Sequence, residues 1–225
     1  MRALNRKAIL GIARLLVMLI AIMFLPAWTF NYWQGWVCLL AFSGPCIVIT
    51  VYVAKNDPAL LERRMKAGAS AETEPAQKII QVVAFFAFLA DFAVSVFDHR
   101  FGWSSVPVWV TIFGDSLILA GFMMVFVVFK ANSYTSGIIE VAPEQKVIST
   151  GPYAVIRHPM YSGALLMLIG IPLALGSWWG ELANVVMTAA LACRLLNEER
   201  FLSVNLRGYQ EYHKKVKYRL VPLVW

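Results

Sequence analysis

The sequence contains few charged residues, few cysteines and few histidines, and each shortage excludes a class of protein. Only 15% of its 225 residues are Asp, Glu, Lys or Arg, well below the share in a soluble domain. The cysteines lack CxxC spacing, which predicts buried packing residues and excludes a disulfide or zinc site: Cys38, Cys46 and Cys193. The three histidines lie far apart in the sequence, which predicts no metal centre.

Apolar residues make up 60% of the chain, and its mean hydropathy is +0.65. At about 20 residues per membrane-spanning helix, this predicts an all-α integral membrane protein, a single domain 1–225 with about five transmembrane helices. The candidate spans are 8–30, 36–54, 79–97 and 107–129, followed by a broken apolar region, 161–193. The first span is too long for a cleaved signal peptide and ends in an aromatic cluster, so we expect it to be retained.

The basic residues are distributed unevenly along the chain. They gather near the N-terminus, in 55–78, in 130–157 and in the tail after Arg194, whereas the other connections contain only Arg100. By the positive-inside rule, the N- and C-termini and both basic connections lie in the cytoplasm. The net charge of +7 then reflects topology and contact with the anionic lipid bilayer, and no segment resembles a nucleic-acid-binding motif.

The connection 55–78 has two interpretations. Leu60, Leu61 and Met65 are interspersed with basic residues, as expected of a short amphipathic helix on the anionic leaflet. An ordinary solvated loop would carry the same charges.

The region 161–193 is too short for two full spans and a turn, which need more than about 40 residues. Gly170, Pro172, Gly176 and Gly180 cluster in its middle and predict a broken helical hairpin that returns to the cytoplasm. Irregular backbone at membrane depth is tolerated only where it is buried in protein or lines a cavity. We therefore expect this end of the chain to enclose a pocket.

The stretch TGPYAVIRHPMYSGALL, 150–166, concentrates polar and helix-breaking residues at the start of that hairpin. A helix that starts near Pro159 directs free backbone N–H groups and its positive dipole end toward the cytoplasmic boundary, which suits an anionic group. His158 and Tyr161 share one face of this helix. The alternative is a plain helix start in which Arg157, His158 and Tyr161 are interfacial anchors.

A second polar cluster follows the last apolar run, in CRLLNEERFLSVNLRGYQEYHKKVKYRLVPLVW. Arg194 and Glu198 are four residues apart and share a helix face, either as a surface ion pair or as functional groups. Charge directly beside an apolar helix is costly and often functional. Tyr209, Tyr212 and Tyr218 recur at near-helical spacing and predict the packing face of a cytoplasmic C-terminal amphipathic helix.

Together, GPYAVIRHPMYSG, the broken hairpin and NEERFLSVNLRGYQEYHKKVKYRLVPLVW resemble the isoprenylcysteine carboxyl methyltransferase family, which is related to phospholipid N-methyltransferases. The resemblance covers 131–225, whereas 1–130 match only as membrane spans of suitable number. It implies a membrane-embedded enzyme that binds S-adenosylmethionine in a cytoplasmic-facing pocket and methylates a lipophilic acceptor entering from the membrane. No metal is implied.

The resemblance also assigns roles to individual residues. Cofactor contacts fall on Gln145, Lys146, Val147, Ile148, Tyr153, His158, Pro159, Met160, Tyr161 and Glu198. Arg194 matches a position that clamps the substrate carboxylate, which favours carboxyl O-methylation of a prenylcysteine-like substrate. The alternative, phospholipid or other lipid N-methylation, would need a general base for its amine acceptor.

Two other hypotheses remain open. Sterol-reductase-like membrane proteins with a nicotinamide cofactor carry related C-terminal tails, although such a cofactor would call for more basic residues than 145–161 and 194–212 provide. A small non-enzymatic transporter would use the charges inside the spans, where Arg14 matches Asp91 in sign and depth and Asp115 lies shallower.

Overall fold

The computed structural model describes residues 2–72 and 74–225, and the regular structure in this part of the chain is helical, apart from one isolated bridge between Ile156 and Tyr218. The helices are α1 (Arg2–Ala27), α2 (Trp33–Asn56), α3 (Pro58–Met65), α4 (Pro75–Phe101), α5 (Val108–Ala131), α6 (Pro159–Ala174), α7 (Gly180–Asn205) and α8 (Tyr209–Lys215), with a 3-10 turn, Gly151–Ala154, before α6. The predicted all-α class is confirmed.

Four helices, α1, α2, α4 and α5, are long and apolar enough to cross a membrane, and their ends lie within six residues of those of the four predicted spans. α1 ends at Ala27, before the predicted boundary, because Trp28 has a φ of 58°. α4 is longer than predicted at both ends. Pro75 fits its first turn, and the helix ends only at Gly102, which has a left-handed φ of 64°.

A broken hairpin follows α5, as predicted. α6 ends at Ala174, the chain turns at Gly176 with a φ of 74°, and α7 starts at Gly180. α6 has 16 residues and is about 24 Å long, shorter than a hydrocarbon core of roughly 30 Å. α7 continues beyond the apolar region, which ends at 193, to Asn205, since neither glycine nor proline follows Gly180 within it, and it therefore includes Arg194 and Glu198, as their helical spacing predicted.

Glycines bring α5 and α6 into backbone contact. A Cβ atom added to Gly121 would lie 2.5 Å from the carbonyl oxygen of Gly163, and one added to Gly163 would lie 2.8 Å from that of Gly121. Gly114 and Gly170 meet in the same way two turns further along. Because small residues let helix backbones approach this closely, the contact holds the start of α6 against the end of α5.

α3 confirms the helical interpretation of the connection after α2. Asp57 caps it by accepting a hydrogen bond from the Leu60 amide at 3.0 Å, and Pro58 occupies its first turn. Leu60 and Leu61 are buried, so the helix packs against the protein through its apolar face.

The C-terminal helix is shorter than predicted. α8 has seven residues and buries Tyr209 and Tyr212, but the chain becomes extended at Val216. Tyr218 therefore lies outside the helix and forms a bridge with Ile156. The predicted packing face is right for the first two tyrosines and wrong for the third.

Two predictions about buried side chains are also wrong. Cys193 is exposed, because α7 turns this position outward. Asp91 is completely buried, but its carboxylate oxygens have no hydrogen-bond partner among the described residues, and Arg14 is exposed on α1 and does not pair with it. Asp115 is likewise buried without a described partner.

Candidate functional site

A polar cavity lies between the connection 132–158, the start of α6 and the second half of α7, and α8 closes one side of it. Its wall contains every residue to which the resemblance assigned a role: Gln145, Lys146, Val147, Ile148, Tyr153, His158, Pro159, Met160, Tyr161, Arg194 and Glu198. The structure therefore brings these residues together, while their roles toward a ligand stay predictions.

α6 begins at the edge of the polar cavity. Pro159 is its first residue, and the side chain of the N-cap residue, His158, forms no capping hydrogen bond. The amides of Met160 and Tyr161 lie in the first turn, where the helix offers no carbonyl partner. Because both residues line the cavity, unpaired N–H groups and the positive dipole end are located at its wall.

Glu199 joins three segments of the chain behind this wall. Its Oε1 accepts a hydrogen bond from Arg157 Nε at 2.6 Å and lies 3.2 Å from His158 Nε2. Its Oε2 accepts a hydrogen bond from Arg219 Nε at 2.9 Å. Burial alone would raise the pKa of Glu199, but these hydrogen bonds outweigh it and hold the pKa well below the ordinary value. The buried carboxylate is therefore ionised.

The tail after α8 runs beside the start of α6. The Arg157 amide donates to the Tyr218 carbonyl and the His158 amide donates to the Arg219 carbonyl, both at 2.9 Å. Arg157 Nη1 also donates to the Val216 carbonyl at 2.7 Å. The tail is thereby attached to the segment that precedes α6.

Glu198, the neighbour of Glu199, lies on the cavity side of α7. Its Oε2 accepts a hydrogen bond from the Tyr161 hydroxyl at 2.5 Å. Across the cavity, Asn132 Nδ2 donates to the Tyr153 hydroxyl at 3.1 Å. Burial raises the pKa of Tyr153 to about 12, so its hydroxyl stays protonated at neutral pH.

Arg194 is held by residues far from it in the sequence. Its Nη1 donates to Glu72 Oε1 at 2.7 Å and to Gln77 Oε1 at 3.0 Å, and its Nη2 donates to the Gly137 carbonyl at 3.0 Å. Glu72 and Gln77 are both buried. The surface ion pair between Arg194 and Glu198 that the spacing allowed is wrong, since the described residues show the pair with Glu72 instead.

A second, larger cavity of about 690 Å³ lies among the membrane helices. Its wall is mostly apolar and includes Leu15, Phe42, Ile49, Phe122, Phe129, Ala164, Met167 and Leu191. Ser136, Met160, Tyr161 and Arg194 line both this apolar cavity and the polar cavity. These four residues form the junction between the two cavities.

Sequence reasoning missed the connection directly after α5. Asn132, Tyr134, Thr135, Ser136 and Glu140 all line the polar cavity. Their segment has neither helical nor strand periodicity, and its one signal is a high density of hydroxyl and amide side chains at the end of an apolar span. Glu72 and Gln77 were missed for a different reason, because their partner, Arg194, is distant in the sequence, and for the same reason the arginine partners of Glu199 were not predicted.

The groups in the polar cavity fit S-adenosylmethionine. Thr135 Oγ1 and Tyr209 Oη are buried in its wall without a hydrogen-bond partner among the described residues. Glu198 Oε1 also forms no hydrogen bond within the described part of the chain, so it can accept one from a ribose hydroxyl or an amino group. The start of α6 suits a carboxylate.

Parts of this chain resemble known proteins. Residues 109–207 match the family model described as PEMT, phospholipid methyltransferase. Protein-S-isoprenylcysteine O-methyltransferase B of Arabidopsis thaliana is 30% identical over 114 residues, which are 48% of this chain and 57% of that protein. Delta(14)-sterol reductase TM7SF2 of Mus musculus is 31% identical over 90 residues, which are 39% of this chain and 22% of that protein.

The match thus spans 57% of the length of the plant relative and 22% of the mouse relative. The family-model match begins near the start of α5 and includes both the 150–166 stretch and the Glu198–Glu199 pair. The family model and the plant relative support the resemblance that the motifs indicated: residues 109–207 are similar to phospholipid methyltransferases, and the chain is similar in part to an isoprenylcysteine methyltransferase.

Proposed function

We propose that this chain is a membrane methyltransferase that uses S-adenosylmethionine and acts on a lipophilic acceptor, with carboxyl O-methylation of a prenylcysteine-like substrate as its reaction. The observation that carries the proposal is the junction at Ser136, Met160, Tyr161 and Arg194, which line both cavities. A polar methyl donor and a lipophilic methyl acceptor need one polar and one apolar binding site, and the two sites must share a boundary.

The polar cavity supplies the contacts for the cofactor. The free amides of Met160 and Tyr161 bind its carboxylate at the positive end of α6, and Glu198 Oε1 accepts hydrogen bonds from its ribose or amino group. The rings of Tyr153 and Tyr161 suit adenine or the sulfonium cation. When bound, S-adenosylmethionine supplies a methyl group that its sulfonium activates for transfer.

Arg194 orients the acceptor at the junction. Its hydrogen bonds to Glu72, Gln77 and Gly137 fix the guanidinium, which carries further N–H groups that can donate to a carboxylate. A carboxylate is nucleophilic without losing a proton, so these residues need to position it and exclude water and need not act as a base.

Two measurements test the proposal. Detergent-purified protein should bind S-adenosylhomocysteine in calorimetry, and with labelled S-adenosylmethionine it should convert N-acetyl-S-farnesylcysteine into a base-labile methyl ester. Binding of the cofactor product without ester formation would restrict the proposal to another acceptor, such as a phospholipid amine. Failure to bind S-adenosylhomocysteine would contradict the proposal as a whole.

The similarity to the mouse sterol reductase favours a second candidate, a reductase with a nicotinamide cofactor. Parallel titrations with NADH and NADPH separate the two candidates, because a reductase should bind one of these nucleotides and leave S-adenosylhomocysteine unbound.

A further inference from the structure

The two arginines at or beside the junction differ in how their charge is balanced. Arg194 pairs with Glu72 at 2.7 Å, and the Glu72 carboxylate is buried, so the two charges neutralise each other. Arg64 also lines the apolar cavity, but it forms no ion pair with any carboxylate in the described part of the chain. Lys7 also lines this cavity, but it is exposed, so Arg64 is the cation beside the junction that lacks an ion pair among the described residues.

Contacts on three sides hold the Arg64 side chain in place. Nη1 donates to the Ser136 carbonyl at 2.6 Å and lies 3.6 Å from the sulfur of Met160. The guanidinium carbon lies 5.5 Å from the centre of the Phe129 ring. Ser136, Met160 and Phe129 all line the apolar cavity. Nε and Nη2 have no hydrogen-bond acceptor among the described residues, so the fork that favours carboxylate and phosphate oxygens is available.

A cation without an ion pair in an apolar wall is energetically costly, because burial removes part of its hydration and the Glu198 carboxylate attracts it without forming a direct ion pair. Consistent with this, burial lowers the pKa of Arg64. An anionic group placed beside Nε and Nη2 would remove the cost. A neutral ligand of the same shape would not.

We propose that Arg64 recognises the anionic group of the acceptor, a carboxylate or a phosphate, while the acceptor's apolar chain fills the apolar cavity. The inference rests on the proposed function and deepens it, since it assigns selection for charge to α3, outside the 109–207 region that the family model matches. Arg194, already neutralised by Glu72, orients the reacting group, and Arg64 selects its charge.

The test measures dissociation constants without cofactor, on detergent-purified protein, for pairs of ligands that share their apolar chains and of which one member is anionic and the other neutral. One pair is N-acetyl-S-farnesylcysteine and its methyl ester, and the other is dioctanoyl phosphatidic acid and dioctanoylglycerol. We expect wild-type protein to prefer the anionic member of at least one pair by about ten-fold or more. The pair that shows the preference identifies the anion as a carboxylate or a phosphate.

Arg64→Gln should reduce that preference to less than about two-fold while the affinity for the neutral member stays unchanged, because the apolar cavity remains. Arg64→Lys, which keeps the charge, should retain part of the preference. Arg63→Gln is the matched control: Arg63 is the adjacent residue on α3, but it donates to the Ser133 carbonyl and is not part of the cavity wall, so the preference should persist.

Three outcomes would overturn the assignment of Arg64. The assignment is overturned if wild-type protein prefers neither anion or if Arg64→Gln keeps the preference unchanged. It is also overturned if Arg63→Gln loses the preference as well. If Arg64→Gln does not fold, Arg64→Lys takes its place in the test. Equal affinities of Arg64→Lys for the anionic and the neutral member of a pair would also contradict recognition of charge. S-adenosylhomocysteine binding is measured separately, so failure of the methyltransferase proposal is distinguishable from failure of this one.

Discussion

The hydroxyl of Tyr161 donates a hydrogen bond of 2.5 Å to the carboxylate of Glu198, across the two helices of the hairpin. Tyr161 lies in the first turn of α6 and Glu198 in the second half of α7, so this bond fixes one wall of the polar cavity. Oε1 of Glu198 remains without a described partner. The carboxylate is thus held in position while it can still accept a hydrogen bond from a ligand.

Glu198→Ala removes that acceptor. We expect the variant to bind S-adenosylhomocysteine about 1–3 kcal/mol more weakly, the cost of losing a hydrogen bond to a charged group. Calorimetry measures the change. Glu211→Ala, which removes an exposed acid on α8, should bind like wild type. A folded Glu198→Ala protein with wild-type affinity would exclude Glu198 from the cofactor site.

Arg194→Lys tests the geometry of the acceptor site. A lysine keeps the positive charge next to Glu72 but loses the planar fork that bonds two oxygens at once. We expect kcat/KM for a carboxylate acceptor to fall by about ten-fold or more, roughly 1.4 kcal/mol, with little change in cofactor affinity. Equal activity in the variant and the wild type would show that Arg194 is structural.

Glu199 should make the stability of the folded protein depend on pH in the acidic range. Its folded-state pKa lies below the ordinary value of 4.5, so its stabilising effect is complete above about pH 4.5 and is lost as the pH falls through the folded-state pKa. The thermal midpoint of wild-type protein should therefore decline in this range more steeply than that of Glu199→Gln. Glu62→Gln, at an exposed position, should follow the wild-type curve.

At neutral pH, Glu199→Ala should destabilise the protein by about 3–5 kcal/mol, because it leaves buried Arg157 without its carboxylate. A thermal midpoint equal to that of wild type would show that the tail is held without this residue.

Gly121→Ala tests the backbone contact between α5 and α6. The new Cβ would lie 2.5 Å from the Gly163 carbonyl oxygen, and forcing the helices apart should cost about 1–3 kcal/mol. Gly11→Ala is the control: apart from its chain neighbours and its own helix backbone, no atom lies within 4 Å of its added Cβ, so better helix propensity should stabilise α1 by up to about 1 kcal/mol. Similar thermal midpoints for both variants would contradict the contact.

Membrane orientation can be tested by thiol labelling in a variant that lacks the three native cysteines. The positive-inside rule predicts that a membrane-impermeant reagent reaches Arg6→Cys and Lys214→Cys from the cytoplasmic side. Ser105→Cys, in the connection between α4 and α5, should react from the opposite side. Labelling of Lys214→Cys and Ser105→Cys from the same side would refute the topology.

The membrane helices could be predicted from the sequence because hydropathy and helix-ending residues are local properties. The direction in which each helix faces is not local. Cys193 follows an apolar run and suggested burial, yet it is exposed, because apolar residues of a membrane helix face both lipid and protein. The same reasoning assigned Arg14 to Asp91 by depth alone, and the two face different surroundings.

The candidate site was predictable where a short motif carries it, as in 150–166, and unpredictable where partners meet from distant segments. Arg194 binds Glu72 across 122 positions, and no pattern near either residue indicates the pair. Glu198 and Glu199 are adjacent but point about 100° apart on a helix. One therefore faces the polar cavity and the other the arginines behind it, a division that spacing alone does not reveal.

The attachment of the tail to the start of α6 also has a consequence for biosynthesis. Tyr209 and Tyr212 complete the wall of the polar cavity, and Tyr218 and Arg219 bond to the segment before α6, so a pocket begun by early residues is closed by late ones. A nascent chain halted after α7 would have its apolar helices in the bilayer but no finished ligand site. The capacity to bind ligand would therefore arise only after the segment that follows α7 has been synthesised and has folded against the start of α6.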